Sequence, residues 1–256
     1  CLAAVKSVLT ERGIGDVRVM VVKGDGSQML DRVAQQFPVE TILSGPAASV
    51  VGASRLVDVP HAIVMDMGGT TTDAAVIKRS APVRSSRGAQ IGAFKTSVRA
   101  MDVKTVGLGG DSEVNLADWP QVQLGPRRIT PISRLPSEHP SMSNALKERL
   151  ESVDIPEAQC MDFLDLIPGT AQDNAVLEQL SAGPQLIREV AVALNRPGPG
   201  FVEWKALETE GKLRRFGLTL TDVMHATGDY TAFDASAAET LLTAWADLLD
   251  VETDTV

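Results

Sequence analysis

In the opening segment CLAAVKSVLTERG, Leu2, Val5 and Leu9 share one face, the spacing of the later turns of an amphipathic helix. DVRVMVVKGDG, residues 16 to 26, then gathers β-branched and apolar positions from Val17 to Val22 and ends in glycines, which predicts a short buried strand and a sharp turn. Helical spacing returns at Leu30, Val33, Ala34 and Phe37, with Ser27 available as a cap and Pro38 as a stop, so this stretch reads as strand, turn and helix. TILSGPAASVVGASRLV places Gly-Pro at a helix start and continues through Ala47, Ala48, Gly52 and Ala53. Such small side chains let a helix approach another backbone or a ligand closely.

HAIVMD and AAVI are apolar strands joined by MGGTTTD, and Lys78 and Arg79 end the second, which predicts a hairpin. APVRSSRG and FKTSV add candidate strands, and VKTVGLGGDSEV places another glycine-rich connection after Val103 to Val106. From about Ser141 the pattern changes to helices separated by Pro and Gly. SNALKERLES, AQDNAVLEQL, PQLIREVAVALN, VEWKALETEG, TLTDVMHATG and SAAETLLTAWADLL each carry apolar positions three and four apart. The expected organisation is a mixed half, 1–140, and a mainly helical half, 141–256, packed on or inserted into the first. There is no repeat of fixed period, and NRPGPG, residues 195 to 200, is the one obvious flexible break.

Composition narrows the function classes. The chain has 256 residues, 44 % of them apolar, enough for one large core or two modest ones. A net charge of −9 with no Lys/Arg cluster argues against a nucleic-acid surface. The mixed charges of segment 181 to 227 likewise argue against a DNA-binding helix-turn-helix there. No apolar run approaches the roughly 20 residues that span a bilayer, and no charged-then-apolar leader opens the chain. Two cysteines, Cys1 and Cys160, make no disulfide framework, so a reducing, cytoplasmic setting is expected. The first residue is not Met, which suggests a piece of a longer protein.

The candidate chemistry lies in MDMGGTTTDAAV, residues 65 to 76. One Asn-Gly or Gly-Gly would make the turn, yet this one spends Gly68, Gly69 and three threonines on it. Bare N–H groups at Gly68 and Gly69, with hydroxyls from Thr70, Thr71 and Thr72, suit an anion. A carboxylate beside a phosphate needs a cation between them, so Asp66 or Asp73 would act through Mg²⁺ or its waters. The plain alternative is a Gly-Gly hairpin with solvent-facing threonines. A P-loop is excluded because Gly-Lys-Ser/Thr is missing, and a dinucleotide fingerprint because the stretch joins two strands.

MDMGGTTTDAAVI, preceded by TILSGPAASVVGA, resembles the hydantoinase A and 5-oxoprolinase family, whose nucleotide-binding fold is of the actin, sugar-kinase and Hsp70 type. TVGLGGDSEV, LGPRR and LTLTDVMHATG are similar to further family segments, in family order from about 17 to 228. The resemblance implies an α/β, actin-like (ribonuclease H-like) ATPase lobe with a mixed sheet and flanking helices. It also implies ATP and Mg²⁺ as cofactors and ATP-dependent opening of a small cyclic amide such as 5-oxoproline or a hydantoin. In that fold two such hairpins grip the phosphates from opposite sides, and 65 to 73 resembles the second. The expected partners are thus a missing N-terminal lobe of the same polypeptide and, as family members often have one, a second subunit; no membrane and no nucleic acid are expected. The fragment alone would be inactive.

The implied roles are Asp66 toward the metal or the attacking water, Gly68, Gly69 and Thr70 on the phosphate, and Gly107, Gly109, Gly110 and Ser112 near the nucleotide or substrate cleft. Asp66 is the first candidate for the catalytic base and Asp102 the second. Two departures stand out: Asp111 where the family has Gly, and Lys104 where many members carry His. An added carboxylate weakens anion binding unless a cation is held there. His61, His139 and His225 form no ligand pair at helical or strand spacing, His225 reads as a satisfied helix-end histidine, Cys160 as a small buried hydrophobe, and Trp204 and Trp245 as core.

Overall fold

The computed structural model describes residues 2–57, 59–91, 93–154, 157 and 159–255. It is a mixed α/β structure in two compact units, Cys1–Val106 and Gly107–Val256. The change of pattern at about Ser141 therefore falls inside the second unit and does not coincide with the division.

In the first unit the order is α1 (Leu2–Glu11), β1 (Met20–Val22), β2 (Gln28–Leu30), α2 (Asp31–Gln36), α3 (Ser44–Leu56), β3 (His61–Met67), β4 (Thr72–Lys78), β5 (Ala81–Pro82), β6 (Gln90–Ile91), β7 (Phe94–Lys95) and β8 (Val103–Val106). The expected strand, turn and helix gains a strand: β1 and β2 form an antiparallel hairpin, Val22 opposite Gln28. Ser27 does not cap a helix. Its N–H and hydroxyl both donate to Asp25 Oδ1, at 3.0 and 2.6 Å, and so close the turn that lets Gln28–Leu30 fold back.

β3 and β4 pair over their full length, His61 opposite Lys78 through Met67 opposite Thr72, and β8 lies along the other edge of β4. Alternation divides this sheet into two faces. On one, Ala75 packs with Ala47, Val50 and Met101, and Val51, Val64 and Val103 border the cluster. The small residues of SGPAASVVGA thus let α3 lie close on the sheet. On the other, Ile63, Met65 and Met67 are 72, 70 and 50 % exposed.

The second unit contains β9 (Ser112–Asn115), β10 (Gln123–Arg128), β11 (Thr130–Pro131), α4 (Leu135–Glu138), α5 (Met142–Glu151), β12 (Phe163–Leu166), α6 (Ala175–Gln179), β13 (Gln185–Leu186), α7 (Ile187–Ala193), α8 (Lys205–Thr209), β14 (Leu213–Gly217), α9 (Leu220–Ala226) and α10 (Ala235–Leu249). All six expected helices are present, but the region is not simply helical. FLDL and LRRFG form the centre of a four-stranded sheet, β11-β14-β12-β13, with Phe163 opposite Phe216. Buried on both faces, these strands lack the alternation that would mark them in sequence.

One cluster joins Phe163, Phe216, Leu135 and Leu146 to the inner face of α10 at Leu241 and Trp245. Another, on Leu164, Leu177, Val190, Trp204 and Leu213, fills the space among α6, α7 and α8. Burying each large apolar side chain contributes roughly 1.5–3 kcal/mol. Side chains secure three helix starts: Asn174, Thr219 and Asp234 accept the first-turn N–H groups of α6, α9 and α10. Among the described residues no helix is long and apolar enough to cross a membrane.

Candidate functional site

The β3–β4 turn runs from Gly68 to Thr71, and the Gly68 N–H donates to the Thr71 carbonyl at 2.9 Å. That N–H is spent on closing the turn, so of the donors expected to face an anion, Gly68 contributes an open backbone rather than its own hydrogen. The N–H groups of Gly69, Thr70 and Thr71 make no backbone hydrogen bond among the described residues, and Gly69 and Thr70 are exposed. Thr72 belongs to β4, is buried, and pairs across the ladder with Met67 and Val106.

Gly68 does not lie in the left-handed region. A Cβ on Gly68 would meet only the Thr71 carbonyl oxygen, at an ordinary 3.8 Å. The turn therefore requires no glycine at 68 for conformation or for space. What glycine provides there is an unobstructed approach to the backbone.

Asp66 and Asp73 are direct cross-strand partners. Like charges so placed repel unless a cation or a proton intervenes. Asp73 Oδ1 accepts the Thr105 hydroxyl at 2.5 Å, which ties β4 to β8 and orders the carboxylate. Asp66 is exposed at the end of the edge strand.

The second glycine-rich segment belongs to the other unit and is organised by Ser112. Its side chain is wholly buried, its Oγ accepts the Gly109 N–H at 2.9 Å, and its own N–H donates to the Gly109 carbonyl at 2.9 Å. The Ser112 hydroxyl, expected near a cleft, instead closes this turn. The Gly110 carbonyl accepts the Thr221 N–H at 2.9 Å, and Gly125, at φ +50°, lies so close to Gly107 that a Cβ on it would be 3.3 Å from the Gly107 carbonyl oxygen. Asp111 forms a 3.0 Å ion pair with Arg128, so the carboxylate that departs from the family pattern is neutralised locally.

Asp102 is exposed, its N–H held by the Val83 carbonyl at 2.9 Å, and Lys104 stands opposite Ala74 on β8. His225 is buried with both ring nitrogens engaged, Nδ1 2.7 Å from the Thr221 carbonyl and Nε2 accepting the Phe233 N–H at 2.9 Å. Burial pushes the Cys160 thiol up to about 12, which suits an inert core residue; Cys1 lies outside the described residues.

Sequence reasoning missed the buried charge cluster of the second unit. The Arg215 side chain is fully buried and bonds Asp162 at 2.6 Å, Glu208 at 2.9 Å and Glu113 at 3.2 Å, beneath Trp204. Burial pushes Asp162 up to about 6, opposed by the Arg215 charge and reinforced by Glu113. A second group links His139, Asp165, Arg214 and Glu138. Its members are scattered along the sequence, so no local spacing announces either group. Among the described residues no three His, Cys, Asp or Glu gather as a metal cage.

The family model described as hydantoinase/oxoprolinase matches residues 1–135, more than half of the chain. The chain belongs to the hydantoinase/oxoprolinase family. A nucleotide-free acetone carboxylase structure, from a study of ATP-dependent acetone carboxylation, matches with a TM-score of 0.53 at 16 % identity. It covers 99 % of this chain, and this chain spans 27 % of that one. At that identity the likeness speaks for the fold. No curated protein matches the chain. The matched segment of this family member contains both the SGPAAS helix and the Gly-Gly-Thr hairpin.

Proposed function

We propose that this chain is part of an ATP-dependent enzyme acting on a cyclic amide, and that the β3–β4 hairpin holds nucleotide phosphate. The observation that carries this reading is the turn itself. Gly68 is dispensable for the turn's geometry, while the N–H groups of Gly69, Thr70 and Thr71 are left without backbone acceptors. Within an actin-like lobe this hairpin is one jaw of a phosphate clamp, and the opposing jaw belongs to an N-terminal lobe of the same polypeptide.

Mg²⁺ fits the oxygen chemistry of the facing Asp66 and Asp73 carboxylates, which would hold it largely through its waters; bound there, it neutralises charge on the phosphates. Thr105 fixes Asp73, leaving Asp66 the freer carboxylate and the better candidate to orient or deprotonate a water. The Gly69 and Thr70 N–H groups and the Thr70 and Thr71 hydroxyls orient phosphate oxygens. Phosphoryl transfer from ATP to the amide oxygen forms one P–O bond as another breaks and ADP leaves; water then adds to the activated carbon, the ring C–N bond opens as the nitrogen takes a proton, and a second water releases phosphate from the resulting acyl phosphate. Asp102 is the alternative base.

ATP hydrolysis by the full-length protein, with and without 5-oxoproline and hydantoins, tests this. Turnover stimulated by a lactam is expected; stimulation by none of them would favour ATP-dependent activation of another substrate on the same fold, or a nucleotide-sensing module. The 256-residue chain alone is expected to show little ATPase activity. Robust turnover by it would overturn the half-clamp.

A further inference from the structure

A second feature of the first unit bears on ligand binding and uses none of the hairpin's atoms. A concavity of about 340 Å³ opens among Arg84, Ser86, Arg87, Asp102 and Lys104. Among the described residues none of the three cations forms an ion pair, whereas Arg127, Arg128, Arg134, Arg149, Arg188, Arg214 and Arg215 of the other unit all do. In a chain of net charge −9, Arg84, Arg87 and Lys104 gather around one hollow lined by a single carboxylate, Asp102, with Asp25 the other carboxylate whose charge bears on Arg84; this excess of positive charge favours an entering anion.

The hollow is built on a fixed backbone. Gly88 has φ +75°, and a Cβ there would lie 2.0 Å from the Thr96 carbonyl oxygen, so only glycine fits. The Ser85 hydroxyl donates to the Gly88 carbonyl at 2.9 Å and accepts the Arg87 N–H at 3.2 Å. The Ser85 N–H bonds the Ala100 carbonyl, Arg84 bridges to Met101, and the Asp102 N–H bonds Val83. Arg84 and Arg87 thus leave a braced turn, opposite Asp102 and Lys104 on the strand entering β8. Arg84 also reaches toward Asp25; burial there pushes the Asp25 carboxyl up, and Ser27, Lys23 and Arg84 together hold it below its ordinary value.

We propose that this concavity is an oxyanion site, in which Arg84, Arg87 and Lys104 receive the carboxylate or phosphate of a small molecule. Guanidinium groups pair such oxygens in a bidentate manner. Asp102 at the same wall excludes a second negative group and presents a carboxylate to whatever uncharged part of the ligand lies beside it.

The two sources of the anion are separable by titrating the amide NMR spectrum of this chain with inorganic phosphate, 5-oxoproline and 2-pyrrolidinone, the last being the same ring without a carboxylate. Shifts at Arg84 to Gly88 and Asp102 to Lys104 are expected with at least one of the two anions and not with 2-pyrrolidinone. Response to phosphate alone assigns the site to a phosphate, and response to 5-oxoproline alone to a substrate carboxylate. In R87Q/K104Q, whose altered side chains are exposed, affinity falls at least about tenfold, while K147Q in the other unit leaves it unchanged; the charge reversal R87E weakens binding further. Equal affinity in the double variant, an equal response to 2-pyrrolidinone, or no response to either anion overturns the proposal. Because amides 69 to 71 report the hairpin separately, failure at one site is distinguishable from failure at the other.

Discussion

The two units differ in how they spend apolar surface and charge. The second buries Phe163, Phe216, Leu241, Trp245 and many others around a sheet covered on both faces, and pairs most of its arginines internally. The first packs one sheet face on α3 with Ala47, Val50, Ala75 and Met101, and leaves Ile63, Met65 and Met67 exposed on the other. Its cations at 84, 87 and 104 stand open around a hollow, and its hairpin donors are unsatisfied by its own backbone. Binding groups cannot also be consumed by folding, so the unit with the thinner core and the unpaired polar groups is the one available to ligands.

The largest expected break in this contrast is Arg215→Ala. Removing a fully buried guanidinium leaves Asp162, Glu113 and Glu208 facing one another, and a loss of about 3–5 kcal/mol is expected by chemical denaturation. A loss below about 1 kcal/mol would mean the cluster is not desolvated as the structure shows.

A smaller effect is pH dependence. Asp162 has a folded-state value of about 6, above its ordinary 3.8, because burial penalises the carboxylate more than Arg215 favours it. The folded state holds this proton more tightly, so the contribution is fully present below 3.8 and is lost as pH rises through about 6. Thermal melts between those pH values should show the parent chain gaining on Asp162→Asn as pH falls. Parallel profiles for the two would count against the shift.

The smallest effect sharpens the other side of the contrast. Met65→Ser, on the bare face at 70 % exposure, should change stability by no more than about 0.5 kcal/mol. A loss of several times that in urea denaturation would show Met65 to be packed rather than bare.

Local signals carried well wherever chemistry was consecutive. TILSGPAAS gave a helix and HAIVMDMGGTTTDAAVI a hairpin, because turns and helix starts act over three or four residues. The β2 strand was hidden by an apolar spacing that also fits a helix, and only Ser27's bonds to Asp25 reveal which turn was made. FLDL and LRRFG escaped because strands buried on both faces show no alternation. At the candidate site, residue types were legible but allegiances were not. Nothing in GLGGDS says that the Ser112 hydroxyl turns inward to Gly109, or that Asp111 meets Arg128.

The sequence by itself determined the family motifs, the glycine and threonine content of the hairpin and the −9 charge, since each is a matter of composition or short-range spacing. Tertiary structure alone decided that Asp66 faces Asp73, that Arg215 is ringed by three carboxylates, and that Arg84, Arg87 and Lys104 share one hollow. Charges interact through space over a few ångströms, and the chain brings those groups together only when distant strands and turns have closed.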